Sequence, residues 1–165
     1  MNFKSQNKKS IICALMIGRA GSKSFPGKNL IKILDRKICE YPLIAAKKSK
    51  YVTELFVSTD CPGIKKIAKT YNAILLKRPK HLATSKALGD HVFEDSYFKI
   101  KKILKKQDKE IELLILLMAN APTITSKLID KGIKILRKNK SFDSAVTTSV
   151  YNMWSPLRAR KKDRL

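Results

Sequence analysis

A loop with three cations follows the first apolar run of this 165-residue chain. Residues 18–29 read Gly-Arg-Ala-Gly-Ser-Lys-Ser-Phe-Pro-Gly-Lys-Asn, and the cations are Arg19, Lys23 and Lys28. Small residues let backbone N–H groups approach an anion closely, and cationic side chains neutralise its charge. The combination predicts a polyphosphate-binding loop. The alternative is a surface turn shaped by the glycines and the proline.

The spacing of the glycines argues against a Walker A loop. That loop needs four residues between its glycines and then a Lys followed by Ser or Thr. Here Gly21 and Gly27 enclose five residues, and Lys28 is followed by Asn29. A P-loop kinase is therefore not expected.

Short apolar runs alternate with amphipathic segments along the chain, which is typical of a parallel sheet covered by helices. The predicted strands are residues 11–17, 55–58, 74–76, 113–118 and 145–150. The predicted helices are residues 41–50, 62–71, 88–104 and 128–137. Asn72 and Asn139 stand where a left-handed residue is expected to end a helix.

Polar residues follow several of these strands, at the edge where such sheets bind ligands. Asp60 either contacts a ligand or caps the next helix, whose first turn holds Pro62. Arg78 either serves a ligand or ties a loop through backbone carbonyls. Ser22 is either a turn residue or a hydroxyl donor to the ligand.

The formal net charge of +23 raises the possibility of a nucleic-acid-binding protein. However, 29 of the 36 basic residues are Lys, and they occur in nearly every segment. The densest cluster, residues 99–106, keeps its apolar residues at helical spacing and has no interleaved aromatics for base stacking. The pattern favours a solvated cationic surface with weak, salt-sensitive association with polyanions.

Cysteine content and hydropathy limit the class of protein further. Cys13, Cys39 and Cys61 are widely spaced and accompanied by only two His, so free thiols are predicted rather than disulfides or a zinc site. No apolar run approaches the ~20 residues that span a bilayer. Residues 1–10 lack the apolar stretch of a secretion signal, so we expect a cytoplasmic protein.

Three segments carry a recognisable pattern in order, namely Arg19-x-x-Ser22-Lys23-x-x-x-x-Lys28-Asn29, Val57-Ser-Thr-Asp60 and Arg78-Pro79-x-x-Leu82-Ala83. Together they resemble the signatures of the acylneuraminate cytidylyltransferases, also called CMP-sialic acid synthetases. The related branch that activates the eight-carbon keto-sugar of lipopolysaccharide usually has Lys-Pro in place of Lys28-Asn29. The sialic-acid-like branch is therefore the better match.

The resemblance implies a single nucleotidyltransferase-like domain over residues 1–165. Its expected fold is a doubly wound, mainly parallel sheet of the Rossmann-like nucleotide-diphospho-sugar transferase type. The expected reaction transfers CMP from CTP to a sialic-acid-like nonulosonic acid, whose anomeric hydroxyl attacks the α-phosphorus and releases pyrophosphate. Arg19 and Lys28 are the catalytic candidates, since cations there stabilise the developing charge. The nucleotide-binding candidates are Arg19, Gly21, Ser22, Lys23, Lys28, Asn29, Arg78 and Asn120.

The chain departs from the family pattern beside the base site. Met118 stands where relatives have a Gln that helps read cytosine, and a thioether cannot replace an amide. Base choice would then rest on Asn120 or on backbone groups. Lys86 also stands where many relatives carry an acidic residue.

The ending at Leu165 is the largest departure. The resemblance implies Mg²⁺, a sugar-contacting segment and a homodimer, but the family's metal-binding aspartates and dimer interface lie beyond this point. The sequence has no Asp-x-Asp pair, so we assign no metal ligand. We expect the chain to bind CTP, with pyrophosphate release near background.

Three functions remain open at this stage. They are a cytidylyltransferase, a truncated or degenerate nucleotide-binding module without turnover, and a basic nucleic-acid-binding protein. Trp154, Arg158 and Arg160 follow the last predicted strand, where an Arg could meet a substrate carboxylate. The alternative for these three residues is a basic chain end.

Overall fold

Four parallel strands form the central sheet of the protein. A computed structural model describes residues 8–21 and 25–148. In chain order the elements are β1 (Lys9–Ile17), β2 (Lys32–Ile33), β3 (Arg36–Lys37), α1 (Glu40–Lys47), β4 (Val52–Thr59), α2 (Pro62–Thr70), β5 (Ile74–Lys77), α3 (Gly89–Lys105), β6 (Lys109–Met118) and α4 (Ser126–Lys138). Short 3₁₀ turns lie at Lys28–Leu30 and Lys80–Ala83.

The strand order of the sheet is β5-β4-β1-β6, and every pairing within it is parallel. The chain therefore builds outward from β1 through β4 to β5 and then crosses back to place β6 on the other side of β1. This order defines a doubly wound sheet, whose direction of winding reverses between β1 and β6. The predicted fold class is confirmed.

Both faces of the sheet are covered, which explains why β1 reads as a continuous apolar run. Alternate residues of β1 enter two separate cores. Ile12, Ala14 and Met16 pack with apolar side chains of α1, α2 and α4. The neighbouring positions Cys13 and Leu15 pack with those of α3.

Two local predictions are wrong. Residues 145–148 form no strand, and Val146 is 55% exposed; residues 149 and 150 lie outside the described part. Asn139 has extended backbone, with φ −117°, because its side-chain Nδ2 itself donates to Ile135 O at 2.9 Å. That bond satisfies a terminal carbonyl without a left-handed residue. Asn72 does adopt the predicted left-handed conformation, with φ 54°.

The sequence pattern gave no sign of the small hairpin between the first loop and α1. Strands β2 and β3 pair antiparallel through Lys32 with Lys37 and Ile33 with Arg36. Two-residue strands are too short to show an alternation of apolar and polar residues. In the part of the chain that the structure describes, no helix combines the length and apolarity that crossing a bilayer requires.

Candidate nucleotide-binding site

The segments that follow the parallel strands meet at the carboxyl edge of the sheet. Gly18 N donates to Ser58 O at 3.3 Å, and Ala119 N donates to Ile17 O at 3.0 Å. These bonds hold the start of the cationic loop between the ends of β4 and β6. The loop therefore begins at the point where the winding of the sheet reverses, which is where doubly wound sheets bind ligands.

The loop is held by its own side chains at Arg19 and Asn29. Arg19 Nη1 donates to Ala20 O at 3.1 Å and to Gly21 O at 2.6 Å. Asn29 Nδ2 donates to Arg19 O at 3.3 Å, which joins the two ends of the loop. Gly21 has a φ of +64°, a conformation that side chains rarely adopt, so a glycine is required there. The structure thus brings three predicted site residues together.

Asn29 lies in the 3₁₀ turn Lys28–Leu30 and is only 8% exposed. Its backbone O accepts from Cys39 N at 3.0 Å. Its side-chain Oδ1 is buried and has no hydrogen-bond partner among the described residues. A buried acceptor without a donor is costly, so this atom is available to a donor on a ligand. Lys28 precedes it and is half-buried.

The turn that carries Asn29 is fixed by packing against α2. A Cβ added at Gly63, in the first turn of that helix, would lie 2.6 Å from Leu30 Cδ1. Because a glycine leaves room for the leucine, the turn sits directly on the helix. Neither Gly63 nor Leu30 was singled out from the sequence, since only the folded chain brings them together.

Asp60 does not cap α2, so that alternative is wrong. The helix begins at Pro62, and the residue at its N-cap is Cys61, whose N–H donates to Thr59 Oγ1 at 3.0 Å. Asp60 instead reaches the cationic loop, where its Oδ1 accepts from Ala20 N at 2.9 Å. The sequence did not indicate this contact, because any residue type at position 20 would offer the same backbone N–H group.

Arg78 ties the loop after β5, which is one of the two alternatives that the sequence left open. Its Nε donates to Leu82 O at 2.9 Å. Burial lowers the pKa of its guanidinium; the positive charge of Arg19 lowers it further, while Asp60 and Asp95 oppose the shift. Arg78 therefore lies close enough to the loop for the charges of Arg19 and Asp60 to affect its pKa.

Asn120 follows β6 and is exposed, next to the buried Ala119. Met118 is 45% exposed at the end of the strand. Both residues therefore lie at the same sheet edge as the cationic loop. Five further sequence candidates, Ser22, Lys23, Trp154, Arg158 and Arg160, lie outside the described residues.

The described residues form no protein cage for a magnesium ion. Over residues 8–21 and 25–148, no three His, Cys, Asp or Glu side chains come together as such a cage would require. The carboxylate beside the loop is Asp60, which accepts a backbone hydrogen bond through one oxygen. Mg²⁺ at a nucleotide is usually held by one or two carboxylates together with substrate phosphates and waters, so it does not need a protein cage.

The fold and the loop define a doubly wound α/β protein with a candidate anion-binding loop at its sheet edge, and comparison with known proteins gives its family. Residues 13–161 match the cytidylyltransferase family. The chain belongs to that family, as the three sequence signatures predicted.

Curated relatives include proteins of nonulosonic acid metabolism. A post-translational flagellin modification protein B from Campylobacter coli is 34% identical over 83% of this chain. A CMP-N,N'-diacetyllegionaminic acid synthase from Campylobacter jejuni is 33% identical over 68% of it, and an Escherichia coli N-acylneuraminate cytidylyltransferase is 28% identical over 86%. The alignments cover 57%, 46% and 32% of those three proteins, so the chain spans about half or less of their length.

Solved structures agree on the fold. A CMP:2-keto-3-deoxy-manno-octonic acid synthetase complexed with CTP superposes with a TM-score of 0.57 at 19% identity, over 81% of this chain and 49% of that one. A cytidylyltransferase from Leptospira borgpetersenii gives a TM-score of 0.55 at 22% identity, over 81% and 50%. At these identities the similarity establishes the shared architecture.

Proposed function

We propose that this chain carries the nucleotide-binding part of a cytidylyltransferase, which binds CTP at the carboxyl edge of the sheet. The observation that carries the proposal is the cationic loop at the reversal point between β1 and β6. Arg19 and Asn29 are joined there from the two ends of the loop, and the charge of Arg19 acts on Arg78, which follows β5. The names of the relatives point to a nonulosonic acid as the acceptor of CMP.

In this proposal the cations of the loop stabilise the triphosphate. The hydroxyl oxygen of the sugar acid forms a bond to the α-phosphorus of CTP and gives up its proton to solvent, and pyrophosphate leaves with the electron pair of the broken P–O bond. Lys28 and Arg19 neutralise the negative charge that accumulates on the leaving group. Arg19 uses Nη1 to hold the loop, and in this proposal its Nε and Nη2, which have no acceptor among the described residues, donate to phosphate oxygens.

Asn29 has a separate role in the proposed complex. Its Oδ1 is an acceptor without a partner among the described residues, and a ribose hydroxyl is a suitable donor. Asn120 and the backbone beside it are the candidates for reading the base, because Met118 offers no comparable hydrogen bond. Magnesium and a homodimer remain predictions from the family resemblance.

Calorimetry with CTP tests the nucleotide site. We expect Lys28→Ala to weaken CTP binding by about 1.5 to 3 kcal/mol, the range for a hydrogen bond to a charged group. Lys134→Ala is the matched control, because it removes an equal charge from an exposed position on α4. An equal loss in both variants would contradict a defined site at Lys28, and unchanged binding in both would exclude the loop.

Acceptor assays separate CMP transfer from nucleotide binding alone. Pyrophosphate release is measured with CTP, Mg²⁺ and N-acetylneuraminate, pseudaminic acid or N,N'-diacetyllegionaminic acid in parallel. Release with one of these acids above the no-acceptor control supports the cytidylyltransferase. CTP binding without release from any of them supports the module without turnover.

A further inference from the structure

We propose that Asp60 is a positioning residue, whose carboxylate holds the backbone of the cationic loop in its binding conformation before a nucleotide arrives. The inference rests on the proposed CTP site and assigns a role to an acidic residue inside it. A carboxylate beside a triphosphate is unfavourable by charge alone, so its presence needs a separate reason.

The first observation is the hydrogen bond itself. Asp60 Oδ1 accepts from Ala20 N at 2.9 Å, across 40 residues of sequence. Asp60 follows β4 directly, and the neighbouring Thr59 is 1% exposed and bonded to Cys61 N. The acceptor is therefore anchored to the rigid sheet, whereas the donor belongs to the loop. A bond to an ionised acceptor is about twice as strong as a neutral one.

The second observation is that neighbouring backbone groups of the loop are also held by hydrogen bonds. Gly18 N donates to Ser58 O, and Ala20 O and Gly21 O both accept from Arg19 Nη1. Asp60 supplies the acceptor that the Ala20 amide needs in this arrangement. Without it, a part-buried N–H group would have to find another partner, and the bond between Gly18 N and Ser58 O would remain as a link of the loop to β4.

The third observation concerns charge. Burial and the positive charge of Arg19 lower the pKa of the Arg78 guanidinium, and the negative charges of Asp60 and Asp95 raise it. Without a nucleotide, Asp60 therefore supplies part of the negative charge at this sheet edge. A phosphate group would supply the same negative charge when CTP binds. Asp60 therefore prepares the loop for an anion instead of binding one itself.

Positioning and simple charge make opposite predictions for Asp60→Ala. Removing a negative charge near the triphosphate would by itself strengthen CTP binding. Losing the anchor of Ala20 would weaken it. We expect positioning to dominate and the variant to bind CTP about tenfold more weakly or worse. Asp60→Asn keeps an oxygen that can accept from Ala20 N, so it should restore most of the affinity.

The experiment compares wild type, Asp60→Ala, Asp60→Asn and Glu94→Ala. The last is the control, since it removes one carboxylate from an exposed position on α3. Calorimetry gives the affinity for CTP, and thermal unfolding shows that each variant is folded. Hydrogen exchange at the Ala20 amide, measured by NMR without nucleotide, reports on the contact itself.

We expect the Ala20 amide to exchange its hydrogen at least about tenfold faster in Asp60→Ala than in wild type or in Asp60→Asn. Unchanged exchange, or unchanged or tighter CTP binding by folded Asp60→Ala, would overturn the inference. Failure of the wild type to bind CTP would refute the proposed function. The exchange comparison would still decide whether Asp60 holds Ala20.

Discussion

Gly18 lies so close to Ala119 that a Cβ at position 18 would be only 2.6 Å from the Ala119 Cβ. The two residues follow the neighbouring strands β1 and β6, at the reversal point of the sheet. A Cβ at position 18 would also lie 3.1 Å from Ile64 Cδ1 on α2. The start of the cationic loop is therefore set by close packing as well as by hydrogen bonds.

This contact predicts a compensating pair of substitutions. Gly18→Ala should lower the free energy of unfolding by about 1 to 3 kcal/mol, the usual cost of overpacking a dense interior. Adding Ala119→Gly removes the clashing methyl group and should recover most of that loss. Gly89→Ala is the control, because nothing lies within 4 Å of the added Cβ. Urea denaturation measures all four proteins, and a double variant no more stable than Gly18→Ala would contradict the contact.

The sequence predicted the sheet and the position of the cationic loop because β1 and β4 contain buried apolar runs with polar segments after them. The run that becomes β1 and the cations that follow it are visible without any structure. The contact of Asp60 with Ala20 was not predictable, since it depends on register between β1 and β4. The predicted strand at residues 145–150 was wrong over 145–148 because an apolar pattern alone does not supply a pairing partner.

The hairpin between β2 and β3 predicts a stabilising substitution. Leu34 has a φ of 55° and is 87% exposed, so it bears backbone strain and gains nothing from burial. A left-handed conformation costs an ordinary residue roughly 1 to 2 kcal/mol, and Asn tolerates it better. We expect Leu34→Asn to raise the free energy of unfolding by about 1 kcal/mol.

Leu34→Ala provides the control for that effect. It removes the same exposed apolar group but lacks the short polar side chain that lets Asn tolerate the left-handed conformation, so it should gain little. Denaturant titrations of the two variants compare them directly. Equal free energies of unfolding for Leu34→Asn and Leu34→Ala would show that backbone strain at position 34 does not lower the stability of the protein.

The Lys-rich helix α3 predicts how the protein responds to polyanions. Ile100 and Leu104 are buried at 0% and 1% exposure, whereas Lys101, Lys102, Lys105 and Lys106 are exposed. This confirms a solvated cationic face over a core-facing stripe. DNA binding should therefore depend on charge alone, and its affinity should fall by orders of magnitude between ~50 and ~200 mM salt. CTP binding at a defined site should fall far less.

Fluorescence anisotropy with two duplexes of unrelated sequence tests this difference. Equal affinities for both duplexes, lost at the higher salt, are the expected result. Tight binding to one duplex that persists at ~200 mM salt would instead support a sequence-specific nucleic-acid-binding protein.

Because the thiols are buried, we expect the free energy of unfolding to fall at alkaline pH. All three cysteines are free and buried. Burial raises the pKa of Cys13 from 9.0 to about 12 and that of Cys39 from 9.0 to about 11, with the nearby carboxylates Glu54 and Glu40 adding to the respective shifts. Below about pH 8 both thiols are almost fully protonated in the folded and unfolded chain, so they do not make stability depend on pH.

Above pH 9 the unfolded chain releases these protons and the folded chain retains them, so the free energy of unfolding falls as the pH rises. Between about pH 9.5 and 10.5 each thiol should contribute a loss approaching 1.4 kcal/mol per pH unit. The contribution of Cys39 should level off near its folded pKa of about 11, and that of Cys13 near about 12. Urea denaturation of wild type and of the Cys13→Ala/Cys39→Ala variant isolates the effect, because Tyr and Lys titrate in both proteins. Parallel stability curves over this range would show that the two thiols ionise alike in the folded and unfolded states.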